Sequence, residues 1–113
     1  MPKKTVSLKR LKSSKRFNKL MDKIISMKSV EAIYLIGGIV YRGWSKKDVD
    51  IWIVTNGNDD LEKDPIDKLK SFYKLDTKSG VEIVGFLFNG WVLDTWYGDR
   101  EYIEGPSILL RGK

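Results

Sequence analysis

The sequence predicts an α/β (α+β) chain, on three observations. A lysine-rich segment carries apolar residues at three- and four-residue intervals, two short apolar runs each end at a turn, and a hairpin pattern surrounds Asn89-Gly90. From Ser14 to Lys28, Phe17, Leu20, Met21, Ile24 and Met27 fall on one helical face with lysines on the other, which makes a basic amphipathic helix over about 14–28. Glu31 to Ile36 is β-branched and apolar and stops at Gly37-Gly38, so it reads as a buried strand ended by a glycine turn. A second strand, Val49 to Val54, is closed by the turn cluster Asn56 to Asp60. Asp64 and Pro65 read as the N-cap and first residue of another helix, whose buried stripe is Ile66, Leu69, Phe72 and Tyr73.

Asn89-Gly90 readily takes the positive φ angles of a type I′ turn, so Val81 to Phe88 and Trp91 to Tyr97 form a hairpin. A two-residue loop sets Phe88 opposite Trp91 and Asp94 opposite Gly85, with Asp94 sharing a face with Ile83, Leu87, Val92 and Trp96. The other face, with Val84, Phe86, Phe88, Leu93 and Tyr97, is more consistently apolar and is expected under the helices, leaving Asp94 on the open side. Gly105 to Lys113 reads as either a short strand or a loose tail.

Length and composition bound the chemistry. A chain of 113 residues, 42% hydrophobic and 32% charged, suits one domain over 1–113, soluble and cytoplasmic, with no apolar segment to cross a membrane and no signal-peptide pattern. With no cysteine and no histidine, disulfides, thiolate or imidazole metal sites, cysteine nucleophiles and Ser-His triads are excluded. Catalysis must rest on carboxylates, Lys, Tyr, Ser or Thr, or on a metal held by oxygen. The net charge of +6 is concentrated at the start, where Lys3, Lys4, Lys9, Arg10, Lys12, Lys15, Arg16, Lys19, Lys23 and Lys28 face only Asp22. That asymmetry suits an anionic partner such as a nucleotide or nucleic acid, although a basic run is more often just a solvated helix face.

The informative stretch is Ile33 to Val54, where a strand runs into Ile36-Gly37-Gly38, nine residues intervene, and a second strand opens with Asp48-Val49-Asp50-Ile51. Aspartates one residue apart on a strand point to one face, and two carboxylates so placed repel unless a hard cation such as Mg²⁺ joins them. Gly37 and Gly38 let the backbone approach a phosphate, and Arg42, Lys46 and Lys47 lie in the connecting segment where they would neutralise a triphosphate.

At these residues the chain resembles the nucleotidyltransferase superfamily typified by DNA polymerase beta, whose signature is a hydrophobic residue, Gly, Gly or Ser, a gap of about ten, then Asp-hydrophobic-Asp-hydrophobic. Arg42-Gly43-Trp44-Ser45 is similar to a segment of the minimal, antitoxin-like members. The resemblance implies a mixed, twisted sheet with helices mainly on one face. It also implies a third carboxylate on a later strand, matched by Asp94 with Glu82 as its competitor on the opposite face. The activity implied is transfer of a nucleoside monophosphate from an NTP, ATP among the candidates, to an acceptor hydroxyl. Asp48, Asp50 and Asp94 would hold two Mg²⁺ ions, and Gly37, Gly38, Arg42, Ser45, Lys46 and Lys47 would bind the nucleotide.

The residues after Asp94 are too few for the helical domain that holds the base or acceptor in larger members. The acceptor, a helical protein partner or a nucleic-acid end, therefore brings its own surface, or a homo-oligomer or partner chain completes the site. The alternative is a catalytically silent module of the same fold that binds nucleic acid or a protein. Trp44, Trp52 and Trp96 are candidates to stack on a base, although aromatic residues on small sheets more often belong to a core or interface; Trp52 and Trp96 share faces with Asp50 and Asp94.

Overall fold

Ser14 divides the basic N-terminal segment into two helices. Its own N–H donates to Leu11 O (3.1 Å), closing α1 (Leu8–Ser13), while its Oγ accepts from the Phe17 N–H (3.2 Å) and opens α2 (Lys15–Ile25). The computed structural model describes residues 5–28, 30–46, 48–55, 75–77, 84–88 and 91–113. The expected helix is present as α2, three residues shorter at its end, because Ser26 Oγ donates back to Lys23 O (2.6 Å) and the Met27 N–H to Ile24 O in a tighter final turn. Phe17, Leu20, Met21 and Ile24 are its buried stripe, as their spacing predicts, and Met27 stays buried beyond the helix end.

α1 was not expected. It is preceded by β1 (Val6–Ser7) and capped by Ser7, whose Oγ accepts from the Arg10 N–H (3.1 Å). β2 (Val30–Ile36) leads through Gly37 into the short helix α3 (Gly38–Arg42), then β3 (Trp44–Ser45) and β4 (Asp48–Thr55). β3 pairs antiparallel with β1, so the chain start is stitched beside the segment that feeds β4, and the Leu8 N–H donates to Gly43 O (2.8 Å).

β5 (Leu75–Thr77), β6 (Val84–Phe88), β7 (Trp91–Gly98) and β8 (Ile108–Gly112) complete a six-stranded sheet ordered β5-β6-β7-β4-β2-β8. The sheet is mixed: β4 and β7 run parallel, and the other neighbours run antiparallel. The β6–β7 register is the one the hairpin arithmetic gives, with Phe88 opposite Trp91 and Gly85 opposite Asp94. The tail is a strand. Arg111 Nε donates to Asp22 Oδ1 (2.8 Å) and its Nη2 to Asn18 Oδ1 (3.0 Å), tying edge strand β8 to α2.

One face of the sheet packs on α1 and α2. Ile33, Leu35, Val49, Ile51, Ile53 and Leu93 meet Leu11 and the α2 stripe in a single core, each fully buried or nearly so. Burying each such side chain stabilises the fold by about 1.5–3 kcal/mol relative to leaving it in water. The turn cluster 56–60, the helix expected from Asp64, the Asn89-Gly90 turn, Lys47 and Glu82 lie outside the described residues. Among the described residues no helix is long and apolar enough to cross a membrane.

Candidate functional site

The alternation of β4 decides which of its residues do chemistry. Val49, Ile51 and Ile53 are buried in the core, so Asp48, Asp50 and Trp52 face the open side of the sheet. β7 alternates in step, with Leu93 and Thr95 buried and Asp94 and Trp96 only partly so. Because β4 and β7 are paired in register, Asp50 stands directly beside Asp94 and Trp52 beside Trp96, while Asp48 is level with Val92 at the exposed start of the strand.

Three elements therefore converge on Asp50. On its other side it pairs with Ile36, and the chain turns there through Gly37, at φ 81° and ψ −158°. Only glycine adopts that conformation at low cost. A Cβ at Gly37 would stand 2.5 Å from Asp50 Oδ2, so the bare backbone of the turn lies against the carboxylate. Burial first, then the charges of Asp94 and Asp48 and a hydrogen bond with Asp94, push the Asp50 carboxyl up from 3.8 to about 6; a hydrogen bond from the Trp96 indole pulls the other way. Part-desolvated carboxylates in contact are an arrangement that either shares a proton or takes a cation.

The donor set is all carboxylate oxygen, which suits a hard divalent ion such as Mg²⁺. Among the described residues no group of three or more His, Cys, Asp or Glu side chains stands close enough together to hold a metal ion by itself. Asp50 and Asp94 are in contact and Asp48 is exposed beside them, so the fit is that of an open site completed by ligand and water oxygens, as Mg²⁺ sites commonly are.

Of the other expected residues, Arg42 ends α3 with its guanidinium over the Trp44 ring (5.0 Å to the centroid) and folded back against Gly38, next to the Gly37 turn. Ser45 is buried, and its backbone belongs to the ladder with Val6, while Lys46 is exposed. The structure thus gathers Gly37, Gly38, Arg42, Asp50 and Asp94, with Asp48 at their edge.

Sequence reasoning missed the segment that returns from β7 to β8. It crosses the open face: Arg100 stacks on Tyr34 of β2 (5.2 Å to the centroid) and its Nε donates to the Tyr34 hydroxyl (3.0 Å). Tyr102, Ile103 and Glu104 then border a recess of about 220 Å³ with Ile36, Trp52 and Trp96. No local pattern in residues 99–107 announces this, since the path depends on which strands β7 and β8 neighbour. A larger hollow of about 440 Å³ lies at the far end of the open face, around Tyr34, Val54 and Arg100, away from the aspartates.

No protein-family model matches this chain, and no curated protein is significantly similar to it.

Proposed function

We propose that the chain is a phosphoryl-transfer enzyme that works through clustered carboxylates and a divalent metal. More particularly, it is a nucleotidyltransferase that moves a nucleoside monophosphate from an NTP to an acceptor hydroxyl. The observation that carries this reading is the pairing of Asp50 with Asp94 across the parallel strands, with the Gly37 turn pressed against Asp50.

In this reading Asp48, Asp50 and Asp94 would hold Mg²⁺, which supplies charge neutralisation of the triphosphate and a lowered pKa for the attacking hydroxyl. The acceptor oxygen bonds to the α-phosphorus, the bond from that phosphorus to the bridging oxygen breaks, and pyrophosphate leaves with its electron pair. Asp94, the register neighbour of Asp50, would receive the hydroxyl proton at a carboxylate oxygen. Gly37 and Gly38 let phosphate oxygens come close to the backbone, and the Arg42 guanidinium beside Gly38 offsets charge that develops on the phosphoryl group.

A specific observation bears on the acceptor. Lys9, Arg10, Lys12, Lys15, Arg16, Lys19, Lys23 and Lys28 are all exposed along α1, α2 and the turn after them, while the one acid among them, Asp22, is held by Arg111. That surface favours an anionic acceptor such as a nucleic-acid end over a neutral one. It also supports a second reading, a silent module of the same fold that binds nucleic acid or an acidic helical protein.

Calorimetry of NTP binding with and without Mg²⁺, on wild type and on Asp48→Asn/Asp50→Asn, separates the two. Metal-dependent binding lost in the variant supports the enzyme, and α-labelled NTPs then report the acceptor. Salt-sensitive polyanion binding without metal-dependent NTP binding supports the silent module.

A further inference from the structure

The recess beside the aspartates has a shape and lining that the phosphoryl chemistry alone does not use. Its floor is Ile36, Trp52 and Trp96, and its wall is Tyr102, Ile103 and Glu104. Trp52 and Trp96 are a register pair on the same sheet face as the Asp50–Asp94 pair and two residues further along each strand, or roughly 6.6 Å away. That displacement is close to the span of ribose and 5′-methylene between a nucleobase and its α-phosphate.

Both indole N–H groups are already committed. Trp52 Nε1 donates to Gly98 O (3.2 Å), and Trp96 hydrogen-bonds the Asp50 carboxylate. What the tryptophans offer to the recess is therefore aromatic carbon. Gly98 permits this, because a Cβ there would stand 2.8 Å from Trp52 Cζ2 and push the ring from its seat. Among the described residues, Glu104 is the carboxyl side chain on the rim, exposed, and an ionised carboxylate offers hydrogen-bond acceptors and no donor.

We propose that this recess is a nucleobase subsite, in which Trp52, Trp96 and Ile36 receive the flat ring and Glu104 selects bases whose edge carries amino or ring N–H donors. The selection rests on hydrogen-bond chemistry. Guanine offers a carboxylate two adjacent donors, and adenine and cytosine each offer an amino group. Uracil has a single ring N–H between two carbonyl oxygens that repel a carboxylate. The order expected is guanosine first, adenosine and cytidine next, uridine last. This inference rests on the function proposed above for its meaning, though not for its test, because a nucleoside without phosphates needs no metal to occupy the recess.

The experiment is ligand-observed NMR titration of the four nucleosides, without divalent metal, against the full chain and four variants. Ile103→Trp fills the recess and Tyr102→Ala removes an exposed part of its wall. Glu104→Gln neutralises the rim, and Asp22→Ala, on the helix-covered side of the sheet, leaves the recess untouched. Ile103→Trp is expected to weaken guanosine binding by roughly ten-fold, the loss of about one base-stacking contact, with Tyr102→Ala smaller in the same direction. Glu104→Gln is expected to narrow the guanosine-to-uridine ratio by about ten-fold, the value of one charged hydrogen bond, and Asp22→Ala to leave all four nucleosides unchanged. Absence of nucleoside binding to wild type overturns the proposal. So does binding that both wall variants leave unaltered, or an order in which uridine is not last. If metal-dependent NTP binding is seen without nucleoside binding, the subsite falls and the transferase reading stands; if nucleosides bind in the expected order without metal-dependent NTP binding, the subsite stands and the transferase reading falls.

Discussion

The two faces of the central sheet are made by the same strands and differ by a single residue step. On the helix-covered face, Val49, Ile51, Ile53, Leu93 and Thr95 are fully excluded from water. On the open face, Asp48, Asp50, Trp52, Asp94 and Trp96 carry the charge and the aromatic surface, and none is fully buried. Because side chains alternate along a strand, stability and chemistry are assigned to interleaved positions, and a change at one should leave the other nearly untouched. The covered face packs apolar against apolar, with Thr95, whose buried Oγ1 has no hydrogen-bond partner, as its polar exception. The open face is held with carboxylates in contact and a turn that only glycine can make, and contacts of that kind are ones a ligand can relieve.

The largest effect that would sharpen this contrast is Asp50→Asn. It should reduce the proposed nucleotidyl transfer by on the order of a thousand-fold while leaving the melting temperature equal or higher. A calorimetric scan beside a labelled-NTP assay checks both halves, and a variant that lost both fold and activity would erase the separation of faces. One residue on, Ile51→Ala should do the opposite: about 2–5 kcal/mol less stable in urea, with NTP affinity of the remaining folded protein unchanged.

Gly37→Ala tests the place where the faces meet. With φ at 81° and Asp50 in the way, it should cost about 1–3 kcal/mol and weaken metal-dependent NTP binding as well, so stability and affinity should fall together.

A smaller effect follows from Asp50 itself. Its carboxyl is raised to about 6 in the folded protein against 3.8 ordinarily, so between those values the folded state binds more protons than the unfolded one. Stability should therefore be greatest at acid pH with respect to this group and fall as pH rises from about 4 to about 6. The drop should be on the order of 1–2 kcal/mol once discounted for the solvent that still reaches the carboxylate. Denaturant midpoints across that range, with and without Mg²⁺, measure it; Asp50→Asn should flatten the slope, and saturating Mg²⁺ should offset the loss at neutral pH. The smallest effect is Asp22→Ala, which removes the exposed ion pair to Arg111 and should cost under about 1 kcal/mol, read from the same denaturation curves.

Much of the fold is legible locally. Phe17, Leu20, Met21 and Ile24 announce their helix, Asp48-Val49-Asp50-Ile51 announces its two faces, and the hairpin register around Asn89-Gly90 follows from a loop length. α1 does not announce itself, because Leu8 and Leu11 are its only apolar residues and two points define no period. The tail Gly105 to Lys113 is ambiguous for a similar reason, and its strand exists because β2 offers it a free edge and α2 offers Arg111 a partner.

By itself, the sequence determined which residues share a side: alternation along a strand and recurrence along a helix are properties of the chain within a few residues of each point. Tertiary structure alone decided that β4 lies parallel to β7 with Asp50 beside Asp94, that Gly37 is pressed on Asp50, and that residues 99–107 return across the open face to wall a recess beside the tryptophans. Those contacts join positions far apart in the chain, and they are set by burial of the whole sheet against the helices, a property that no short window of residues contains.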